Sequence, residues 1–338
     1  MVVIGGNLGY IMNRSLLGDP SVDPNKNYRD ALACASQKAS VIEKYREKHD
    51  QLVNNINLDT ALETLKAAIG FSPVIDSSYS ISNNKLLDRN GIEIEFQSAP
   101  GTAQDVLIAL HGKWGVPAGV LCQRKDYSNC FGKYWNDAGF HVYALSVEAQ
   151  SPAMDFQRLG LSLTGSDLAK IEDFIRYLRD KHGRCAHIAI AGISYGAMLA
   201  ELSAFFFNDV NGLASIGGGA RYSYVASEFS LPWKGYEMSP YYVLLTSEGG
   251  IYKLLNRARK PVVVSVGIAD AGLWGESGGT KFGMIDRIQK SIINKDLFIL
   301  QAFLGNHEAN PMGEIESYKK IYRSSTVITC NQPKMENQ

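Results

Sequence analysis

The chain has 338 residues, 45% of them hydrophobic, and its 34 Lys and Arg balance 34 Asp and Glu. That is enough apolar mass for one large domain with an extension, or for two domains. The charge balance argues against a general electrostatic grip on nucleic acid or anionic lipid, and without an apolar run of about 18 residues no membrane-spanning helix is expected.

The opening MVVIGGNLGYIMN is apolar, but it lacks an early Lys or Arg and is interrupted by glycines and Asn7. No targeting segment is expected, and a cytoplasmic location follows. Gly5-Gly6-x-x-Gly9 has the wrong spacing for a dinucleotide loop, with no suitable βαβ unit behind it. Tyr28, Leu32, Ala35, Ala39, Ile42, Tyr45 and Leu52 fall at helical spacing. A second helix is expected from the capping box Thr60-x-x-Glu63 through Leu62, Leu65 and Ile69 to Gly70. Residues 1–72 thus read as a helical extension.

The pattern changes near residue 73. VIDSSYSISNNKLLDRNGIEIEFQSAP predicts two or three strands with a tight turn at Arg89-Asn90-Gly91. Strands and helices then alternate. Strands are expected at 105–110, 141–145, 186–191, 212–216, 261–266 and 296–303. Helices are expected at 129–138, 167–179, 197–206, near 247–257, 281–292 and 314–323. Short β-branched runs between amphipathic helices predict an α/β class, a mostly parallel sheet covered on both faces. This domain spans 73–330, and 331–338 is a tail. Five cysteines (34, 122, 130, 185 and 330) are odd in number and scattered, which favours free thiols in a reducing compartment. A Cys122–Cys130 pair stays open.

Two segments fit G-x-S-x-G: Gly192-Ile193-Ser194-Tyr195-Gly196 and Gly275-Glu276-Ser277-Gly278-Gly279. A serine hydroxyl is a poor nucleophile unless a base lies beside it and donors point at the developing oxyanion. A sharp strand-to-helix turn meets the need, with tiny residues two before and two after the serine. Ser194 follows the strand AHIAIA without a spare residue and precedes an Ala/Leu/Met-rich helix, whose N-terminus adds positive potential. Ser277 stands far beyond its strand, before two glycines that start a helix poorly, so Ser194 is the expected nucleophile.

With this elbow in an α/β pattern, residues 75–325 resemble the α/β-hydrolase superfamily. The resemblance implies the chain order nucleophile, acid, histidine, each at the carboxyl end of a strand. Of six histidines only His307 follows Ser194, in Leu304-Gly305-Asn306-His307-Glu308. The implied acid is Asp270, the first carboxylate after PVVVSV, ahead of the rivals Glu276 and Asp286. It would hold the imidazole tautomer. The oxyanion hole would use the amide of Tyr195 and one from Leu110-His111-Gly112-Lys113-Trp114-Gly115, by position Lys113 with Trp114 as alternative, while His111 bonds its own loop. The family often inserts a lid where this chain carries 220–258. Its Tyr222, Tyr224 and Trp233, with Trp114, are candidate substrate contacts; flat rings with polar tips suit sugars or aromatic esters.

The resemblance implies no cofactor, and the spacing of Cys and His offers no metal site. The expected function is ester hydrolysis, with a short acyl group on a sugar or small polar alcohol, nearest the dienelactone-hydrolase, acetyl-esterase and prolyl-oligopeptidase-like branch. The partner is then a small-molecule ester. Peptidase or amidase, thioesterase or acyltransferase, and a non-catalytic hydrolase-fold binding protein are the alternatives. Oligomeric state is not legible.

Overall fold

The structure is a computed structural model. It describes residues 47–71, 79–82, 85–89, 91–112, 115–126, 128–147, 163–217, 245, 249–268, 288–290 and 292–324. Most of the extension, most of the 220–258 insertion, the tail and both Glu276 and Ser277 lie outside them.

Residues 47–55 are helical, and α1 follows at Leu58–Ala68. Its cap is Asn57, whose side chain accepts from the amides of Asp59 and Thr60. The expected start at Thr60 is therefore late by nearly a turn, because an asparagine competes well for the same orphan amides. A hairpin of β1 (Ser80–Ser82) and β2 (Lys85–Leu87) precedes the main sheet. Its far end is pinned by Arg89, whose guanidinium and backbone amide both grip the buried Asp173.

The main sheet comprises β3 (Phe96–Ala99), β4 (Thr102–Leu110), β5 (Phe140–Leu145), β6 (His187–Ile193), β7 (Gly212–Ile216), β8 (Val262–Gly267) and β9 (Phe298–Phe303). The strand order is β3-β5-β4-β6-β7-β8-β9; only the β3–β5 pair is antiparallel. The helices are α2 (Pro117–Val120), α3 (Phe131–Asp137), α4 (Leu163–His182), α5 (Tyr195–Phe206), α6 (Gly250–Arg257) and α7 (Pro311–Ser324).

Alternate strand residues feed two cores. Val106, Ile108, Leu110, Ile188, Ile190, Val262 and Val264 face α1, α4, α5 and α6. Leu107, Ala109, Ala189, Ala191, Ile193 and Val263 face α3 and α7, where Trp135 and Tyr318 pack with ring centroids 5.1 Å apart. This double burial explains why the strand sequences read as unbroken apolar runs. The described end of the extension belongs to the first core: Val53, Ala61, Leu65, Ile69 and Phe71 join it. Arg257 of α6 donates to the carbonyls of Val53 and Ile56, closing the C-terminal end of the 47–55 helix.

The reading of five scattered free thiols is corrected. Cys122 and Cys130 form a disulfide, and Cys185 is also disulfide-bonded. The eight-residue separation did not reveal the first pair, because closing it requires a tight loop in which Cys122, Asn129 and Cys130 all take positive φ.

Candidate active site

β6 delivers the chain to the carboxyl edge of the sheet at Ile193, and α5 starts at Tyr195. Ser194 alone makes the turn, at φ 59° and ψ −116°. For a residue with a Cβ this conformation is strained, at about 1–3 kcal/mol, so the surroundings must enforce it. Its amide donates to Ile216 O of β7 at 3.0 Å, and its carbonyl accepts from the amides of Ala197 and Met198.

The flanking glycines are required by contact with backbone. A Cβ on Gly192 would lie 2.1 Å from Gly196 O, and one on Gly196 would lie 2.5 Å from the carbonyl oxygens of both Leu110 and His111. The first turn of α5 is therefore pressed against the loop that follows β4. This brings the Tyr195 end of the proposed oxyanion site beside the His-Gly loop.

His111 is held on both ring nitrogens, Nδ1 2.9 Å from Gly112 O and Nε2 accepting from the Val147 amide at 3.3 Å. Those partners fix a neutral tautomer with the proton on Nδ1. His111 thus bonds its own loop and the end of β5, as its position in the sequence suggested. Gly115 N–H donates to Gly112 O at 3.0 Å. Lys113 and Trp114 lie outside the described residues, as do Asp270, Tyr222, Tyr224 and Trp233.

β8 points toward the Asp270 segment and β9 toward His307. The two strand ends are tightly joined. Ile268 N–H donates to Phe303 O at 2.9 Å, and a Cβ on Gly267 would sit 2.1 Å from Asn306 O. The histidine loop therefore leans over the end of β8 rather than away from it. With strands about 4.8 Å apart, β9 itself is three strand spacings from β6, and this lean is the direction needed to approach Ser194.

The loop is anchored on its far side too. Asn129 Nδ2 donates to Ala309 O at 3.1 Å, and the Asn310 amide donates to Glu314 Oε1 at 2.8 Å. Glu314 is wholly buried in the first turns of α7. Burial pushes its carboxyl up to about 7, against the pull of the Asn310 amide and Ser265.

A second buried carboxyl lies beneath the elbow. Glu201 of α5 accepts from Ser215 Oγ at 2.5 Å and from Tyr252 Oη at 2.7 Å, and burial raises it to about 7. Neither glutamate was singled out in the sequence, where each reads as an ordinary charge on an amphipathic helix. Asp167 was also missed. It carries the hydroxyl of Tyr195, but the expected helix began at Asp167, making it an end charge. The helix already runs at Leu163, which places Asp167 at least a turn inside it, where it is buried.

Among the described residues no cluster of three or more His, Cys, Asp or Glu is arranged to hold a metal, and no helix is long and apolar enough to cross a membrane.

No protein-family model matches the sequence, and no curated protein does. Solved structures do match. A putative acetyl xylan esterase from Bacteroides fragilis superposes with a TM-score of 0.51 at 11% identity, covering 78% of this chain and 81% of that one. An acetyl xylan esterase from Paenibacillus sp. R4 gives 0.48 at 13% identity over 79% and 94%, and an esterase from Pyrococcus furiosus gives 0.46 at 13% over 77% and 90%. The sheet order and the likeness to the Bacteroides protein establish the α/β-hydrolase fold.

Proposed function

We propose that this chain, an α/β-hydrolase by fold, is a serine hydrolase that cleaves carboxylic esters through an acyl-enzyme. The observation that carries the reading is Ser194 at positive φ on the strand-to-helix turn, wedged between two glycines whose Cβ positions are occupied by backbone. Strain of this kind persists only where the fold over-determines it, and it concentrates at functional sites.

In this reading His307 takes the Ser194 proton as the hydroxyl attacks the acyl carbon. Asp270 orients the imidazole from the loop after β8. The oxyanion is met by the amides of Tyr195 and Lys113, with Trp114 as alternative. His307 then protonates the leaving alcohol and activates the water that releases the acid. No cofactor enters this chemistry. A short acyl group on a sugar or other small polar alcohol is the favoured substrate, with Trp114, Tyr222, Tyr224 and Trp233 as candidate contacts. The naming of the Bacteroides protein as a putative acetyl xylan esterase fits that preference. The disulfides at Cys122 and Cys185 bear against the cytoplasmic location expected from the sequence, since such bonds persist in oxidising compartments.

The test is labelling with a fluorophosphonate probe, wild type against Ser194→Ala, followed by p-nitrophenyl esters of increasing acyl length. The expected result is labelling and turnover lost together in the variant, with acetate the best acyl group. A wild-type protein that does not label, or a variant that labels equally, overturns the reading.

A further inference from the structure

The residue after the nucleophile contributes its amide to the oxyanion site in the reading above. Its side chain makes a second attachment. Tyr195 is 3% exposed, and its hydroxyl donates to Asp167 Oδ2 at 2.9 Å. Asp167 is fully buried on α4, and Lys170, one turn later and 3% exposed, brings its ammonium to 3.9 Å from the other carboxylate oxygen.

The first turns of α4 are themselves held. A Cβ on Gly165 would lie 2.9 Å from Ile69 O and 3.0 Å from Gly70 O, so the helix rests on the turn that ends α1. The next residue, Phe71, packs against Phe206 and Phe207 at the far end of α5, each ring pair 5.9 Å apart. The end of the N-terminal extension therefore touches both the helix that carries Asp167 and the helix that starts at Tyr195.

We propose that Asp167 is a positioning residue that fixes the peptide between Ser194 and Tyr195 through the tyrosine ring, and that the 58–71 segment braces it. The proposal rests on the serine-hydrolase reading. The carbonyl of that peptide accepts from the amides of Ala197 and Met198, which opposes a flip of its plane, and the ring ties the Cα of Tyr195 to α4. A hydrogen bond from a hydroxyl to a buried carboxylate is of the stronger kind. Because the oxyanion forms only in the transition state, misplacing this amide lowers kcat and leaves substrate binding nearly unchanged.

The experiment compares wild type, Asp167→Ala, Asp167→Asn and Tyr195→Phe on p-nitrophenyl acetate, with Tm and fluorophosphonate labelling measured for each. Loss of a whole oxyanion donor reduces kcat by 10²–10³-fold in known cases. A displaced donor should cost less, so Asp167→Ala and Tyr195→Phe are expected to lose ~10-fold to 100-fold in kcat with KM changed less than about twofold. Asp167→Asn keeps an acceptor for the hydroxyl and should recover most of the loss. The affinity of a boronic-acid inhibitor, which presents a tetrahedral oxyanion, should fall in step with kcat.

Unchanged kcat in folded Tyr195→Phe and Asp167→Ala, with only Tm lowered, overturns the proposal and leaves Asp167 a structural residue. If Asp167→Ala does not fold, Tyr195→Phe decides, since it removes only the hydroxyl. A wild-type protein inert to both ester and fluorophosphonate overturns the hydrolase reading, and this inference with it.

Discussion

The elbow at Ser194 and the loop at His307 stand at the same sheet edge, yet they are held by different physics. Around the elbow every residue from Gly192 to Phe206 is buried, and the decisive contacts are between backbone atoms too close to admit a methyl group. Around the histidine, Leu304 is 90% exposed and Met312 73% exposed. There the path of the chain is set by a few hydrogen bonds, to β9 from Ile268, from Asn129, and to Glu314. Packing fixes the elbow serine, so its geometry and the stability of the domain are inseparable. Hydrogen bonds fix the histidine loop, so activity there can be lost with the fold intact.

The sharpest break in that contrast is Gly196→Val. Its side chain would have to displace two carbonyls of the central strand's exit, and no folded protein is expected by circular dichroism. A soluble variant with wild-type Tm would mean that the elbow relaxes. His307→Gln is the opposite case. Turnover of p-nitrophenyl acetate should fall by up to ~10⁶-fold with Tm unchanged; retention of activity would remove the histidine from the mechanism.

The two buried carboxyls sharpen the comparison, Glu201 under the elbow and Glu314 under the histidine loop. Each is raised from an ordinary 4.5 to about 7. Between those values the folded chain keeps a proton that the unfolded chain releases, so stability falls as pH rises from about 4.5 to 7, by up to about 3 kcal/mol per group. His187, lowered to about 4 by burial, pulls the other way between about 4 and 6.5. The isosteric Glu201→Gln and Glu314→Gln variants isolate the carboxyl share. Each should flatten the decline of Tm toward alkaline pH, and an unchanged slope would show that the carboxyls are already ionised in the folded state.

The smallest effect expected is from the double variant Cys122→Ser, Cys130→Ser. Opening so short a loop should cost about 2–3 kcal/mol of stability. Because Asn129 inside it donates to Ala309, kcat should drop by a few-fold, reporting on the histidine side alone. An unaltered kcat with reduced Tm would show that the Asn129 contact does not position His307.

Much of the fold was legible because burial on both faces forces continuous apolar strands. GLASI at 212–216 matches β7 to the residue, and the other core strands shift by one to three positions at their ends. Helix starts were less legible. α4 already runs at Leu163, four residues before Asp167, and α1 takes its cap from Asn57, three residues before the expected cap Thr60, since a cap depends on which polar side chain wins the orphan amides. The elbow at Ser194 could be read from local pattern alone, because a strand, two glycines and an apolar helix are the parts its geometry needs.

Sequence by itself determined the strands and the elbow at Ser194, for these are properties of contiguous residues. Tertiary structure alone decided that Asp167 holds Tyr195, that the end of the extension braces both helices, that Cys122 closes on Cys130, and that Glu201 and Glu314 are buried. The reason is physical. A carboxylate's meaning lies in its dielectric surroundings and its partners, which distant segments supply, whereas a glycine two residues from a turning serine meets its constraint within its own short stretch of chain.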